Sequence, residues 1–97
     1  MGEFDELLGK LQVIPEAARY EQLAEESAEL AKAALKMSRI LRGENPTPVK
    51  KDEAAEMIRE EISDVFSAAA VLNIDPDIDI MMMKLRRWAG RLEPDKR

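Results

Sequence analysis

Between Gly43 and Pro48 the chain reads Gly-Glu-Asn-Pro-Thr-Pro, its strongest turn signal, and a long helix-periodic stretch lies on either side. Few folds satisfy that arrangement. Upstream, within Tyr20 to Leu41, the residues Leu23, Ser27, Leu30, Ala34, Met37 and Leu41 recur at three- and four-residue steps, which makes them one seam of an amphipathic helix. Downstream, within Ala54 to Leu72, the residues Ala55, Ile58, Ile62, Val65, Ala69 and Leu72 repeat the pattern. Two such helices joined by one turn are expected to fold back as an antiparallel hairpin with its apex near Asn45.

Each stretch carries carboxylates where an amphipathic helix would hide apolar side chains. At about 100° per residue, Glu26 falls at about 300° from Leu23 and Glu29 at about 240°. Glu61 and Asp64 fall at the same offsets, about 300° and about 240°, from Ile58. These sides are not simply wet, because Ala33 and Ile40 share the first, and Met57, Ala68 and Val71 share the second. Acids set between apolar strips cost free energy unless a cation meets them. Levelled about the turn, Glu26 faces Asp64 and Glu29 faces Glu61, so four carboxylates are expected to converge on one patch.

The composition decides what such a patch could hold. The 97 residues include neither cysteine nor histidine, which removes disulfides, thiolate sites and the commonest transition-metal ligand. A metal must then be held by oxygen, favouring Mg²⁺, Mn²⁺ or Ca²⁺ over zinc. A net charge of −5 argues against nucleic acid as a partner. No apolar run approaches the roughly 18 residues of a membrane span, and the N-terminus lacks a basic-then-apolar leader, so the expectation is a cytoplasmic protein without a membrane partner.

Read in order, the chain predicts an all-α domain over residues 1–97, a bundle of three to four helices. Met1 to Leu11 holds Phe4, Leu7, Leu8 and Leu11 at helical spacing. Pro15 suits the first turn of a helix running to Arg42, where Gly43 stops it. Thr47 with Pro48, or Asp52 a turn later, can start the second long helix, which ends near Asn73 because Pro76 follows. Asp75 is the expected cap of a last helix bearing Ile78, Met82, Leu85, Ala89 and Leu92, widened by Met81 and Trp88, before a frayed tail from Glu93. Both long helices are apolar on two sides, so a homodimer or a dimer of dimers is expected to complete the core.

Facing acid pairs give a cage of oxygen ligands suited to a hard divalent cation, and Mg²⁺ commonly shares itself with substrate phosphates. The functional reading is therefore a Mg²⁺-nucleotide site. Blander readings stand beside it. Glu-x-x-Glu is a weak signal in so acidic a chain, and most charge runs are solvated faces. Glu25 and Glu60 point outward at about 200°, although Glu25 could orient a water. Lys32 reads as a surface charge, and Asn73 as a helix C-cap or a contact to ribose or phosphate. Trp88 reads as core or interface, and Met81-Met82-Met83 as adaptable packing.

Glu25-Glu26-Ser27-Ala28-Glu29-Leu30, followed by Glu60-Glu61-Ile62-Ser63-Asp64-Val65, resembles the E-x-x-E … E-x-x-D signature of the all-α nucleoside triphosphate pyrophosphatases, the MazG-like superfamily. Glu44 to Val49 resembles the linker of short phage- and integron-type members, and Lys84-Leu85-Arg86-Arg87-Trp88 the basic segment of their later helix. The resemblance covers about residues 20 to 92, with 31 residues separating Glu29 from Glu61, a longer interval than usual. It implies that Glu26, Glu29, Glu61 and Asp64 are catalytic Mg²⁺ ligands, with Mn²⁺ a substitute, and that Lys84 and Arg87 contact triphosphate. The implied reaction is hydrolysis of a nucleoside triphosphate to the monophosphate and pyrophosphate. Two other readings are a catalytically silent helical oligomerisation or interaction module, and a divalent-cation buffer.

Overall fold

The computed structural model describes residues 2–44 and 49–94. Four helices follow one another, α1 (Glu3–Leu11), α2 (Glu16–Arg42), α3 (Lys51–Val71) and α4 (Ile78–Arg91), with no strand among the described residues. The all-α expectation is borne out.

The helix ends obey local chemistry. Gly43, at φ 66°, closes α2: its N–H donates to Ile40 O at 3.2 Å, and the Glu44 N–H donates to Arg39 O at 3.2 Å. Asn73, at φ 59°, closes α3 in the same way, its N–H donating to Ala70 O at 2.9 Å and that of Ile74 to Ala69 O at 3.0 Å. Both are Schellman closures, in which a left-handed residue satisfies carbonyls the helix leaves unpaired. Two expected caps move. The last helix is capped by Asp77, whose Oδ1 accepts from the Ile80 N–H at 3.0 Å, two residues beyond Asp75, because Pro76 holds Asp75 in the extended link. The N-cap position of α3 is Lys50, without a side-chain cap, so Asp52 sits in the first turn and acts only on the helix dipole. The expected cap Thr47, Pro48 and the apex at Asn45 lie outside the described residues.

Helices α2 and α3 pack as the expected antiparallel pair, but on a rotated face. With further half-buried residues beside them, half-buried or buried positions recur along α2 at Leu23, Glu26, Leu30, Ala33, Met37 and Ile40, and along α3 and its C-cap at Ala54, Ile58, Glu61, Val65, Ala68 and Leu72. These alternate three- and four-residue steps as in a coiled-coil seam. Of the seam read from the sequence, Ser27, Ala34 and Leu41 are exposed on α2, and Ala55 and Ile62 on α3. The reason lies in side-chain size. Among the described residues the buried ones are Ala33, Ala54 and Ala68, whose single methyl groups let the two backbones approach, whereas Leu35, Leu41, Ile62 and Phe66 stay outside. Glu26 and Glu61 thereby pass from the shoulder of the seam into the seam itself.

The short helix α1 leans on α3, while no Cα of α4 comes within 8 Å of another helix. No helix is long and apolar enough to cross a membrane.

Candidate metal centre

Glu26 and Glu61 occupy seam positions of α2 and α3, and Asp64 lies one turn further along α3 on its outer edge. One carboxylate oxygen from each of the three lies within 4.8 Å of the other two. Glu26 and Glu61 are half-buried and Asp64 is exposed. Of the two expected pairs, Glu26 and Asp64 are brought together, and Glu61 joins them. Glu29 is exposed and turns to Lys32, whose Nζ donates to Glu29 Oε1 at 3.2 Å. Lys32 is thus the surface partner of an acid, in keeping with its reading as a surface charge.

Among the described residues, no lysine or arginine forms an ion pair with Glu26, Glu61 or Asp64. The close partner of Glu26 is neutral: Gln22 Nε2 donates to its Oε1 at 2.7 Å. Glu61 shows the consequence. Desolvation, followed by the negative charges of Asp64, Glu26, Glu29 and Glu60, raises its carboxyl above the ordinary value of 4.5. A carboxylate cluster with two half-buried members and no ion-pair partner among the described residues is an electrostatic environment that a cation relieves.

Three carboxylates this close could hold a metal ion, and oxygen donors suit a hard one. Oxygens bound to Mg²⁺ at about 2.0–2.1 Å can be at most about 4.2 Å apart, and those of Ca²⁺ about 5 Å. The three oxygens, all within 4.8 Å of one another, fall inside the Ca²⁺ limit, and the exposed Asp64 side chain leaves room to draw them closer.

Beside the acids opens a groove of about 410 Å³, lined mainly by Leu11, Ile14, Ala18, Ala68 and Val71, with Arg19, Gln22 and Ser67 as polar members. Glu26 and Asp64 stand on its wall. Its far end is a clasp that the sequence reading missed. Gln12 Nε2 donates to Leu8 O at 3.1 Å and to Val71 O at 2.9 Å. Arg19 donates through Nε to Ile14 O at 3.0 Å and through Nη1 to Gln12 Oε1 at 3.1 Å and Val71 O at 3.5 Å. Val71 O is one of the carbonyls α3 leaves unpaired at its end, where a guanidinium also meets the negative end of the helix dipole. A signal for Arg19 existed in the sequence: it stands seven residues before Glu26, on the same strip of α2.

The other expected ligand-binding residues lie apart. Lys84 and Arg87 are exposed on α4, which no other helix approaches, so the chain does not bring them to the acids by itself. Asn73 takes the bland role weighed for it, the left-handed closure of α3. Compared with known protein families, curated proteins and solved structures, the chain matches none.

Proposed function

We propose that the chain is a Mg²⁺-dependent nucleoside triphosphate pyrophosphohydrolase, converting a (deoxy)nucleoside triphosphate to the monophosphate and pyrophosphate in the clearance of unwanted nucleotides. The observation that supports this most is the uncompensated Glu26–Glu61–Asp64 cluster at the mouth of a mostly apolar groove. A divalent ion bound there would neutralise phosphate charge and lower the pKa of an attacking water. The groove accepts a flat apolar group such as a nucleobase between Leu11, Ile14 and Val71, leaving the phosphates at the acids. In the reaction, water oxygen bonds to the α-phosphorus, the bond from that phosphorus to the α–β bridging oxygen breaks, and pyrophosphate leaves. A carboxylate of the cluster would accept the proton from that water. The resemblance of the two acidic motifs to the MazG-like signature supports the same reading.

A second reading, the silent interaction module, draws its support from α4, whose apolar side chains are all exposed. One experiment separates the two: a pyrophosphate-release screen over all ribo- and deoxynucleoside triphosphates with Mg²⁺, repeated with EDTA. The expected outcome is pyrophosphate and monophosphate from at least one substrate, abolished by chelation and restored by Mg²⁺ or Mn²⁺. Diphosphate and orthophosphate as first products, or no turnover of any substrate, would refute the pyrophosphohydrolase.

A further inference from the structure

Helix α4 is amphipathic but uncovered. At about 100° per residue, Met81, Leu85, Trp88 and Leu92 line one stripe, with Lys84, Arg87 and Arg91 along one edge of it. Trp88 is 64 % exposed and Leu85 51 %, since no other helix comes near. A lone helix of 14 residues is marginal in water, so α4 requires packing to persist.

A second uncovered surface lies on the outer face of α3. Phe4, Val65, Phe66, Ala70, Ile74 and Pro76 line a mostly apolar groove of about 470 Å³, with Phe66 60 % exposed. It is distinct from the groove beside the acids, and the link through Ile74 and Pro76 that forms one end of it carries the chain's own α4 away.

We infer that this groove receives α4 of a second copy of the chain, each copy lending its last helix to the other. Charge points to the same kind of molecule as occupant. Lys84, Arg86, Arg87 and Arg91 against Asp79 give α4 a charge of +3, which leaves −8 on the rest of a chain whose total is −5. Locally, Asp75 lines the groove, and Glu3, Asp5 and Glu6 flank Phe4 on α1, opposite in sign to the basic edge of the α4 stripe.

The exposed area agrees. The single chain exposes 8132 Å², whereas a compact monomer of 11.0 kDa exposes about 5,600 Å². The excess of about 2,500 Å² is well above the roughly 800 Å² per partner of a standard interface and reaches the upper part of the obligate homodimer range. The radius of gyration, 17.7 Å against about 12.5 Å for a compact domain of this length, shows the same deficit of packing. Reciprocal docking of identical elements is a closed two-fold arrangement, so it terminates at two copies.

The absence of native cysteine makes the contact directly testable, and the test does not depend on any activity at the acids. Phe66→Cys and Leu85→Cys chains are prepared separately and oxidised alone, as a mixture, and as the double variant. The mixture is expected to give a disulfide-linked pair in at least about tenfold the yield of either variant alone. The double variant is expected to link between chains, and light scattering of the parent to give twice 11.0 kDa. Leu85→Asp is expected to halve that mass and to lower helical circular dichroism by roughly the share that α4 contributes. A parent mass of 11.0 kDa at micromolar concentration, a link within one double-variant chain, or Leu85→Cys pairing mainly with itself would each overturn the inference.

Discussion

At the scale of single residues, Glu61 concentrates the electrostatics of the site. Its carboxyl is raised by desolvation and by four neighbouring acids, so the folded state holds that proton more tightly than the unfolded chain does. The sign follows. Between the ordinary value of 4.5 and the raised one, the folded protein binds more protons than the unfolded, and stability falls as pH rises through that window. Below 4.5 the group is protonated in both states and the penalty is gone. In metal-free buffer Glu61→Gln should therefore melt above the parent at neutral pH, the gap closing as pH drops towards 4.5, and Mg²⁺ should stabilise the parent more than the variant. The same variant should lose more than about 100-fold in kcat/KM, since outer partners of a metal site alone are worth about 10–100-fold. Melting curves over pH with and without Mg²⁺ check this, and a variant melting well below the parent at neutral pH would make Glu61 a structural partner instead.

At the scale of elements, the clasp at the end of α3 joins three helices with few bonds. Gln12 comes from the turn after α1 and Arg19 from the first turns of α2, and both donate to the last carbonyl of α3. Because α1 buries no residue fully, these bonds hold it in place more than its apolar face does. Arg19→Met keeps an apolar stem along the groove but removes the guanidinium. It should cost on the order of 1 kcal/mol, the range of a charged side chain at a helix C-terminus, discounted for partial exposure. Amide exchange should then quicken in α1 and at Gln12 to Ile14, while the α2–α3 pair keeps its protection. Equal loosening of all three helices would mean that the clasp holds the hairpin itself.

At the scale of the whole molecule, the single chain is an unfinished core. Among the described residues those buried are three alanines, and large apolar side chains such as Phe66, Leu85 and Trp88 face outward from α3 and α4. If α4 docks on a second copy as inferred above, association completes such a core, and the opposite charges of α4 and the body would give that association a salt dependence. Raising NaCl from about 0.1 M to about 1 M, which shortens the screening length from about 10 Å to about 3 Å, should weaken self-association severalfold in sedimentation equilibrium. Association indifferent to NaCl would assign the contact to apolar burial alone.

The sequence by itself determined what depends on short range. The closure of α2 at Gly43, the extent of α2 to within a residue, the end of α3 to within two, and the exclusion of sulfur and imidazole ligands were all legible, because caps, prolines and composition act on their own neighbours. The offsets that bring Glu26, Glu61 and Asp64 together were legible too, since a helix fixes the angle of every residue about its axis. Which strip of that axis turns inward was not. Each long helix offers two apolar strips, and periodicity alone cannot rank them; the close approach permitted by Ala33, Ala54 and Ala68 chose the strip carrying the acids. For the same reason only the tertiary structure could bring Arg19 and Gln12 from adjoining segments onto Val71 and leave Lys84 and Arg87 away from the acids, whereas the Glu29–Lys32 contact is an i,i+3 pair within α2 itself. Angle and spacing are properties of one helix, whereas contact belongs to a pair, and the pair is settled by how closely two surfaces can approach.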